Sequence, residues 1–272
     1  MHYAAVLGSP IKHSLSPVLH NAGYEALGLD WHYTRFECDA DALPHVINEH
    51  PEYSGFSVTM PAKFAALAFA DNVSERAAAI GSANTLYLRD GAWHAENTDV
   101  DGLIACINHV SSEPTRALLI GGGGTARPAV WALAQSGVKE LTIINRTDKS
   151  ADFQELATAA GIESLHFQDY EAPIPEVDIV VSTVPSAVLE GKEDTYCVAP
   201  LVDVIYNPWP TPLVRAAREA GQPAVGGHMM LAHQAYGQFE LFTGHPAPQD
   251  AMWNALVSAV PELAAARDNG EL

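Results

Sequence analysis

Short apolar runs alternate along this chain with longer stretches whose apolar positions recur at helical spacing. That is the pattern of an α/β protein with a largely parallel sheet. Residues 3–8, Tyr-Ala-Ala-Val-Leu-Gly, read as a short buried strand, followed by a polar loop and a helix starting near Pro17. Ser16 has the residue type of an N-cap, Pro17 suits the first helical position, and Gly28 marks the stop. Residues 31–36 alternate as a strand should, and residues 55–59 read as another. The first hundred residues therefore form one α/β unit.

Around Ser111 to Pro114 the chain turns polar, and a new pattern starts with the apolar residues 117–120 running straight into four glycines. A domain boundary is expected near residue 102, after a turn over residues 97–102. From there to about residue 230, strand and helix alternate: strands over 117–120, 141–144, 179–182, 201–206 and 224–225, helices over 126–136 and 151–160. Residues 267–272 read as a frayed end.

Composition narrows the function classes. With 272 residues and 48% hydrophobic positions the chain is long enough for about two packed domains. Its net charge of −19 and lack of a Lys/Arg run argue against nucleic acid, because phosphate neutralisation needs clustered cations. An anionic membrane surface repels it too. The first ten residues carry no basic segment and no signal-peptide pattern, and no apolar stretch approaches the roughly 18 to 20 residues of a membrane span. The cytoplasm is the expected compartment. Cys38, Cys106 and Cys197 lie far apart without C-x-x-C spacing, so they read as reduced thiols and not as a zinc site.

Gly121-Gly122-Gly123-Gly124-Thr125-Ala126 fits G-x-G-x-x-A between an apolar strand and a helix. Glycines there permit a tight turn and close approach to a pyrophosphate, while the helix N-terminus offers free N–H groups. An NAD site normally has an acidic residue at the end of the next strand to bind the ribose hydroxyls. Here that strand ends in Asn145-Arg146-Thr147, with Lys149 just beyond and Arg127 in the glycine-loop helix. Cations without the carboxylate favour a 2′-phosphate, hence NADP.

Candidates for substrate chemistry lie mostly in the first domain. Ser14 and Ser16, one residue apart in an extended loop, point to the same side. Thr59 and Lys63 flank Pro61 at the end of a strand, where ligand-facing residues of open α/β sheets lie. Residues 97–102 match the start of a calcium loop, but the twelfth position is Asn108 instead of Glu, so no metal is expected. Asp99 there suits either an Asx turn or a cleft-facing partner for a lysine. His13, His20, His228 and His233 lack ligand spacing, and no G-x-S-x-G elbow is present.

Together these segments resemble the shikimate dehydrogenases. The resemblance rests on residues 8–21, on Ser57-Val58-Thr59-Met60-Pro61-Ala62-Lys63, on Gly81-Ser82-Ala83-Asn84-Thr85 and on Asn97-Thr98-Asp99. It continues through the glycine loop, Asn145-Arg146-Thr147, Tyr206 with Thr211-Pro212-Leu213, and Gly227 through Gln234-Ala235. It implies an N-terminal α/β substrate domain, residues 1–101 and 237–272, whose C-terminal helices return to it, and a Rossmann-type doubly wound NADP domain, residues 102–236. The implied activity is reversible NADP-linked reduction of 3-dehydroshikimate to shikimate, on the route to aromatic amino acids. Reducing a ketone with hydride requires a proton donor at the oxygen, and the resemblance assigns Lys63 with Asp99 to that role. It assigns Ser14 and Ser16 to the substrate carboxylate, and Thr59, Asn84, Asp99, Tyr206 and Gln234 to its other polar atoms. The implied cofactor set comprises Gly121, Gly122, Gly123, Gly124, Thr125, Ala126, Arg127, Asn145, Arg146, Thr147, Lys149, Thr183, Val204 and Gly227.

Ser57 stands where many members have Asn, and Ser150 where a second basic residue often follows. Two other readings stay in view: a broader quinate/shikimate dehydrogenase using NAD, and a non-catalytic dinucleotide-binding sensor that would have no need of Lys63 and Asp99. Monomer and homodimer are both open.

Overall fold

Ala4, Ala5, Val6 and Leu7 are almost fully buried and form the middle of β1 (His2–Gly8). A strand apolar on both faces belongs between parallel neighbours covered on each side. The chain continues through α1 (Ser16–Ala26), β2 (Trp31–Glu37), α2 (Leu43–Glu49), β3 (Tyr53–Val58), α3 (Lys63–Phe69), β4 (Asn72–Val73), α4 (Glu75–Ile80), β5 (Thr85–Arg89) and β6 (Ala92–Glu96). These strands form one mixed sheet in the order β2-β1-β3-β5-β6-β4. β1 runs parallel to β2 and β3, whereas β5 is antiparallel to both β3 and β6. The β5–β6 hairpin turns at Asp90 and Gly91, both at positive φ (52° and 78°), as a two-residue primed turn requires.

The computed structural model describes residues 1–268. The second part of the chain comprises α5 (Asp99–Val110), β7 (Arg116–Ile120), α6 (Ala126–Gln135), β8 (Glu140–Ile144), α7 (Ser150–Ala160), β9 (Ser164–Gln168), β10 (Ile179–Ser182), β11 (Leu201–Asp203), α8 (Pro212–Glu219) and β12 (Ala224–Gly226). Its strands form an all-parallel sheet, β12-β11-β10-β7-β8-β9. Read from the other edge, the strands follow the 3-2-1-4-5-6 order of the doubly wound nucleotide-binding fold. Three helices close the described chain: α9 (Gly227–Thr243), α10 (Gln249–Ala259) and α11 (Pro261–Asp268).

Two compact units result, one of Met1–Thr98 with the chain from Ala232 onward, the other of Asp99–Leu231. The α/β class and the return of the C-terminal helices to the first unit, both implied by the resemblance, are present. Within that unit α10 packs on α1, and Phe239 of α9 sits 5.3 Å from Tyr24, ring to ring. Gly55 on β3 faces the Phe242 ring so closely that a β-carbon there would overlap it.

Four local expectations change. Ser16 is the first residue of α1 and buried, not its cap; Leu15 occupies the cap position, and Ser14 Oγ accepts from the Ser16 N–H at 3.3 Å. Residues 97–102 are not a turn, because α5 begins at Asp99, where Asp99 and Asp101 complement the positive end of the helix. The strand expected over 201–206 stops at Asp203, whose own carboxylate takes the Ile205 N–H. Arg267 and Asp268 close α11 instead of fraying, while residues 269–272 of that expected frayed end lie outside the described residues. Among the described residues, no helix is long and apolar enough to cross a membrane.

The Gly55 contact yields a stability prediction. Gly55→Ala should lower the unfolding free energy by about 1 to 3 kcal/mol, the usual effect of overpacking a core, as read by denaturant titration. An unchanged midpoint would mean that Phe242 yields without cost.

Candidate active site

In the second unit, β7 delivers the fully buried Leu118, Leu119 and Ile120 into Gly121, whose φ of +110° favours glycine. A side chain there would also collide with Thr183, its β-carbon lying 2.6 Å from Oγ1. Thr183 in turn donates to the Ile120 carbonyl at 3.0 Å. Gly121 follows β7 and Thr183 follows β10, so both sit where the strand order reverses, the position at which such sheets bind nucleotides. Gly122 is similarly confined: a β-carbon would lie 3.1 Å from Asn145 Nδ2 and 3.2 Å from Lys149 Cδ, whereas Gly123 opens onto free space. Thr125 and Ala126 then start α6, whose N-terminal N–H groups suit a phosphate.

The cations beside this turn are unequal. Lys149 Nζ donates to the Gly122 carbonyl at 2.9 Å, bracing the glycine turn from the next strand-loop. Arg127 is half-buried, donates to the Asp152 carbonyl at 3.0 Å and lies over the Phe153 ring. Burial lowers its pKa against the opposing charges of Asp152 and Glu155. Arg146 is exposed on the loop after β8, close enough for its charge to oppose the burial-raised pKa of Tyr170. Asn145 Nδ2 donates to the Thr147 carbonyl at 2.8 Å. The carboxylate of Asp148 is turned onto the Ser150 N–H at 2.8 Å. This donor set, a glycine cradle with cations beyond β8, fits a dinucleotide.

Farther along the sheet, Asp203 holds both ends of the loop that carries Val204 and Tyr206. Its Oδ1 accepts from the Ile205 N–H at 3.2 Å and its Oδ2 from Thr211 Oγ1 at 2.7 Å. The same Thr211 oxygen accepts from the Val214 N–H and caps α8. Burial raises the Asp203 pKa to about 6, opposed by the hydroxyl and amide donors. Gly227 admits no side chain, since a β-carbon would overlap the Val204 carbonyl. Tyr206 is half-buried, with its phenol pKa raised by burial.

In the first unit, Asn84 is the centre of a buried polar cluster that includes one other expected substrate residue, Gln234. Asn84 Oδ1 accepts from the Thr98 N–H at 2.8 Å and from Thr85 Oγ1 at 2.8 Å, while Nδ2 donates to Thr98 Oγ1 at 3.0 Å and to Gln234 Oε1 at 3.3 Å. Its backbone carbonyl accepts from Val58 N–H at 2.7 Å and from Gln238 Nε2 at 3.0 Å. Lys63 opens α3 and is buried, and its carbonyl accepts from the Ala83 N–H at 3.0 Å, one residue before Asn84. Thr59 follows β3, with its methyl pressed on Gly8. The structure thus gathers Asn84 and Gln234, sets Lys63 on the segment beside them, and keeps Ser14 next to Ser16. Asp99 is buried at the start of α5, and with Tyr206 it belongs to the second unit. Gln238 escaped the sequence reading, and Thr85 and Thr98 stood in the quoted motifs without an assigned role. Gln238 carries a legible signal, since it stands four residues after Gln234 on the same helix face.

A doubly wound sheet with a glycine turn at its switch point, joined to a separate mixed-sheet unit with buried amides and a lysine, defines a two-domain dinucleotide-dependent oxidoreductase. Three family models match in succession: the shikimate dehydrogenase substrate binding domain over residues 6–86, shikimate / quinate 5-dehydrogenase over 105–194, and the shikimate 5'-dehydrogenase C-terminal domain over 227–257. The shikimate dehydrogenase (NADP(+)) of Methanothermobacter thermautotrophicus is 33% identical over 270 residues, covering 94% of this chain and 95% of the relative. The crystal structure of Mycobacterium tuberculosis shikimate dehydrogenase matches with a TM-score of 0.89 at 45% identity, covering 95% of this chain and 100% of that one. That of Listeria monocytogenes shikimate 5-dehydrogenase, in complex with shikimate and NAD, matches at 0.83 and 26% identity over 94% and 96% of the two chains. The chain belongs to the shikimate dehydrogenase family.

The buried carboxylate makes a pH prediction. A pKa raised to about 6 in the folded state gives a stabilising contribution present below the unfolded value near 3.8 and lost as pH rises through 6. Asp203→Asn should remove that loss. The difference in thermal midpoint, variant minus wild type, should therefore grow from pH 4 to pH 7, and a pH-independent difference would show that Asp203 does not titrate there.

Proposed function

We propose that the protein is an NADP-dependent shikimate dehydrogenase catalysing reversible reduction of 3-dehydroshikimate to shikimate, and that it works in the cytoplasm. The observation that carries this reading is the retention of Lys63 and Asp99 in their motifs, each buried at the start of a helix. A silent sensor would have no use for either. The first unit with its returning helices takes the substrate, and the second takes the cofactor.

The dinucleotide, when bound, delivers or accepts the hydride. As the carbonyl carbon is reduced, its oxygen gains negative charge, and Lys63 Nζ supplies the proton. Asp99 orients that ammonium and accepts from a substrate hydroxyl. Ser14 and Ser16 donate to the substrate carboxylate, and Thr59, Asn84, Tyr206 and Gln234 pair with the remaining polar atoms. Such a ring discriminates strongly, because an analogue missing a hydroxyl leaves buried polar groups unpaired.

Gly121 to Gly124, Thr125 and Ala126 would hold the pyrophosphate. Arg127, Asn145, Arg146, Thr147 and Lys149 would take the 2′-phosphate side, and Thr183, Val204 and Gly227 would hold the rest of the cofactor. The absence of an acidic residue directly after β8 and the exposed Arg146 support NADP. A second reading, NAD with quinate as an added substrate, is favoured by the NAD bound to the Listeria relative and by the quinate in the second family description.

Initial rates with purified protein separate the two. Shikimate oxidation with NADP should exceed that with NAD and that of quinate; equal or faster NAD and quinate rates would select the second reading, and no turnover would revive the sensor. Lys63→Ala should cut kcat by about 10²- to 10⁴-fold, the usual worth of a general acid, with shikimate binding retained. Arg146→Ala should raise KM for NADP about tenfold, the scale of one lost charge-assisted hydrogen bond, and leave KM for NAD unchanged.

A further inference from the structure

Beneath the Asn84 amide lies a buried chain of polar groups whose donors all point one way. Tyr33 OH donates to Ser57 Oγ at 2.6 Å, and Ser57 Oγ donates to Gln238 Oε1 at 2.7 Å. Gln238 Nε2 donates to the Asn84 backbone carbonyl at 3.0 Å and to Thr85 Oγ1 at 3.1 Å. Thr85 Oγ1 donates to Asn84 Oδ1 at 2.8 Å. Every hydroxyl proton is committed, and Gln238 uses both amide hydrogens, so reversing one link leaves another unpaired. Tyr33 anchors the start: its ring stacks on that of His20 at 4.2 Å and 5°. Burial keeps His20 neutral, with a pKa of about 3, so the plate beneath Tyr33 carries no charge at working pH. Burial also raises the Tyr33 pKa, against the opposing side chains of Ser57 and Ser16, which keeps the phenol a donor.

We infer that Tyr33, Ser57 and Gln238 are positioning residues that hold Asn84 through its backbone carbonyl and through Thr85, in the place where the Thr98 N–H keeps Oδ1 turned inward and Nδ2 faces Gln234 Oε1. Ser57 is buried and its hydroxyl both accepts and donates within the chain. It therefore acts on substrate only through Gln238 and Asn84. The inference rests on the proposed reading of Asn84 and Gln234 as substrate-binding groups.

The test is steady-state kinetics of Tyr33→Phe, which keeps the ring on His20 and deletes the first donor. KM for shikimate should rise about tenfold, the effect of losing roughly one hydrogen bond's worth of orientation, while kcat and KM for NADP stay within twofold. Ser57→Ala should behave alike and Ser57→Thr should restore wild-type KM. Gln238→Glu, which replaces the donor by an acceptor of the same shape, should raise KM at least as far at neutral pH. Should Tyr33→Phe fail to fold, these Ser57 and Gln238 variants carry the same reading. Unchanged shikimate KM in folded variants of an active enzyme, or equal rises in shikimate and NADP KM, would overturn the relay and leave the function standing. A wild-type enzyme that neither binds nor oxidises shikimate would overturn the functional reading, and the relay with it.

Discussion

A buried carboxamide is tolerated only when its donors and acceptors are met, and Asn84 imposes that requirement on the first unit. Local chain supplies part of the answer, through Thr85 and the Thr98 N–H. The rest comes from α9, whose Gln234 accepts from the side-chain amide and whose Gln238 donates to the backbone carbonyl, across 150 and 154 residues of sequence. The return of the C-terminal helices is thus more than a lid on an apolar sheet. It brings the two amides without which the polar centre would be left half satisfied, a worse state than an apolar core.

The second unit solves a different problem, close approach of other groups to glycine backbone. Gly121 must pass Thr183, Gly226 must pass Trp209, and Gly227 must pass the Val204 carbonyl. Gly121 directly follows β7, Gly226 is the last residue of β12 and Gly227 comes next, all on the side of the sheet where nucleotides bind. Polar clamps then hold what the glycines have allowed to come near: Lys149 on Gly122, Thr183 on Ile120, Asp203 on Thr211. The glycine turn and the start of α6 offer backbone N–H groups, which suit a ligand made largely of phosphate and ribose.

The legible parts of the sequence were those whose chemistry is local. A glycine run between a buried strand and a helix announces itself, as do Ser14 with Ser16 and Lys63 after Pro61. Strands β5 and β6 did not register, although Asp90-Gly91 is a hairpin dipeptide. Their half-exposed faces carry Arg89, His94 and Glu96 and break the alternation that marks a strand. Ser16 followed by Pro17 looks like a cap, but the helix begins one residue earlier and buries it. The Asp203 clamp and the Tyr33-to-Asn84 chain are contacts between distant segments, which periodicity does not encode. Only Gln238 left a trace, by its spacing from Gln234.

The route of the chain also sets an order on synthesis. The first unit is opened by Asp99 and closed only from Ala232 onward, so all six strands of the second sheet leave the ribosome before Gln238 does. Domains tend to fold as they emerge. Until α9 is made, the Asn84 carbonyl, Thr85 and Ser57 lack the Gln238 side chain that pairs with them in the finished unit. The polar centre of the first sheet is thus completed by residues translated after the whole of the second sheet.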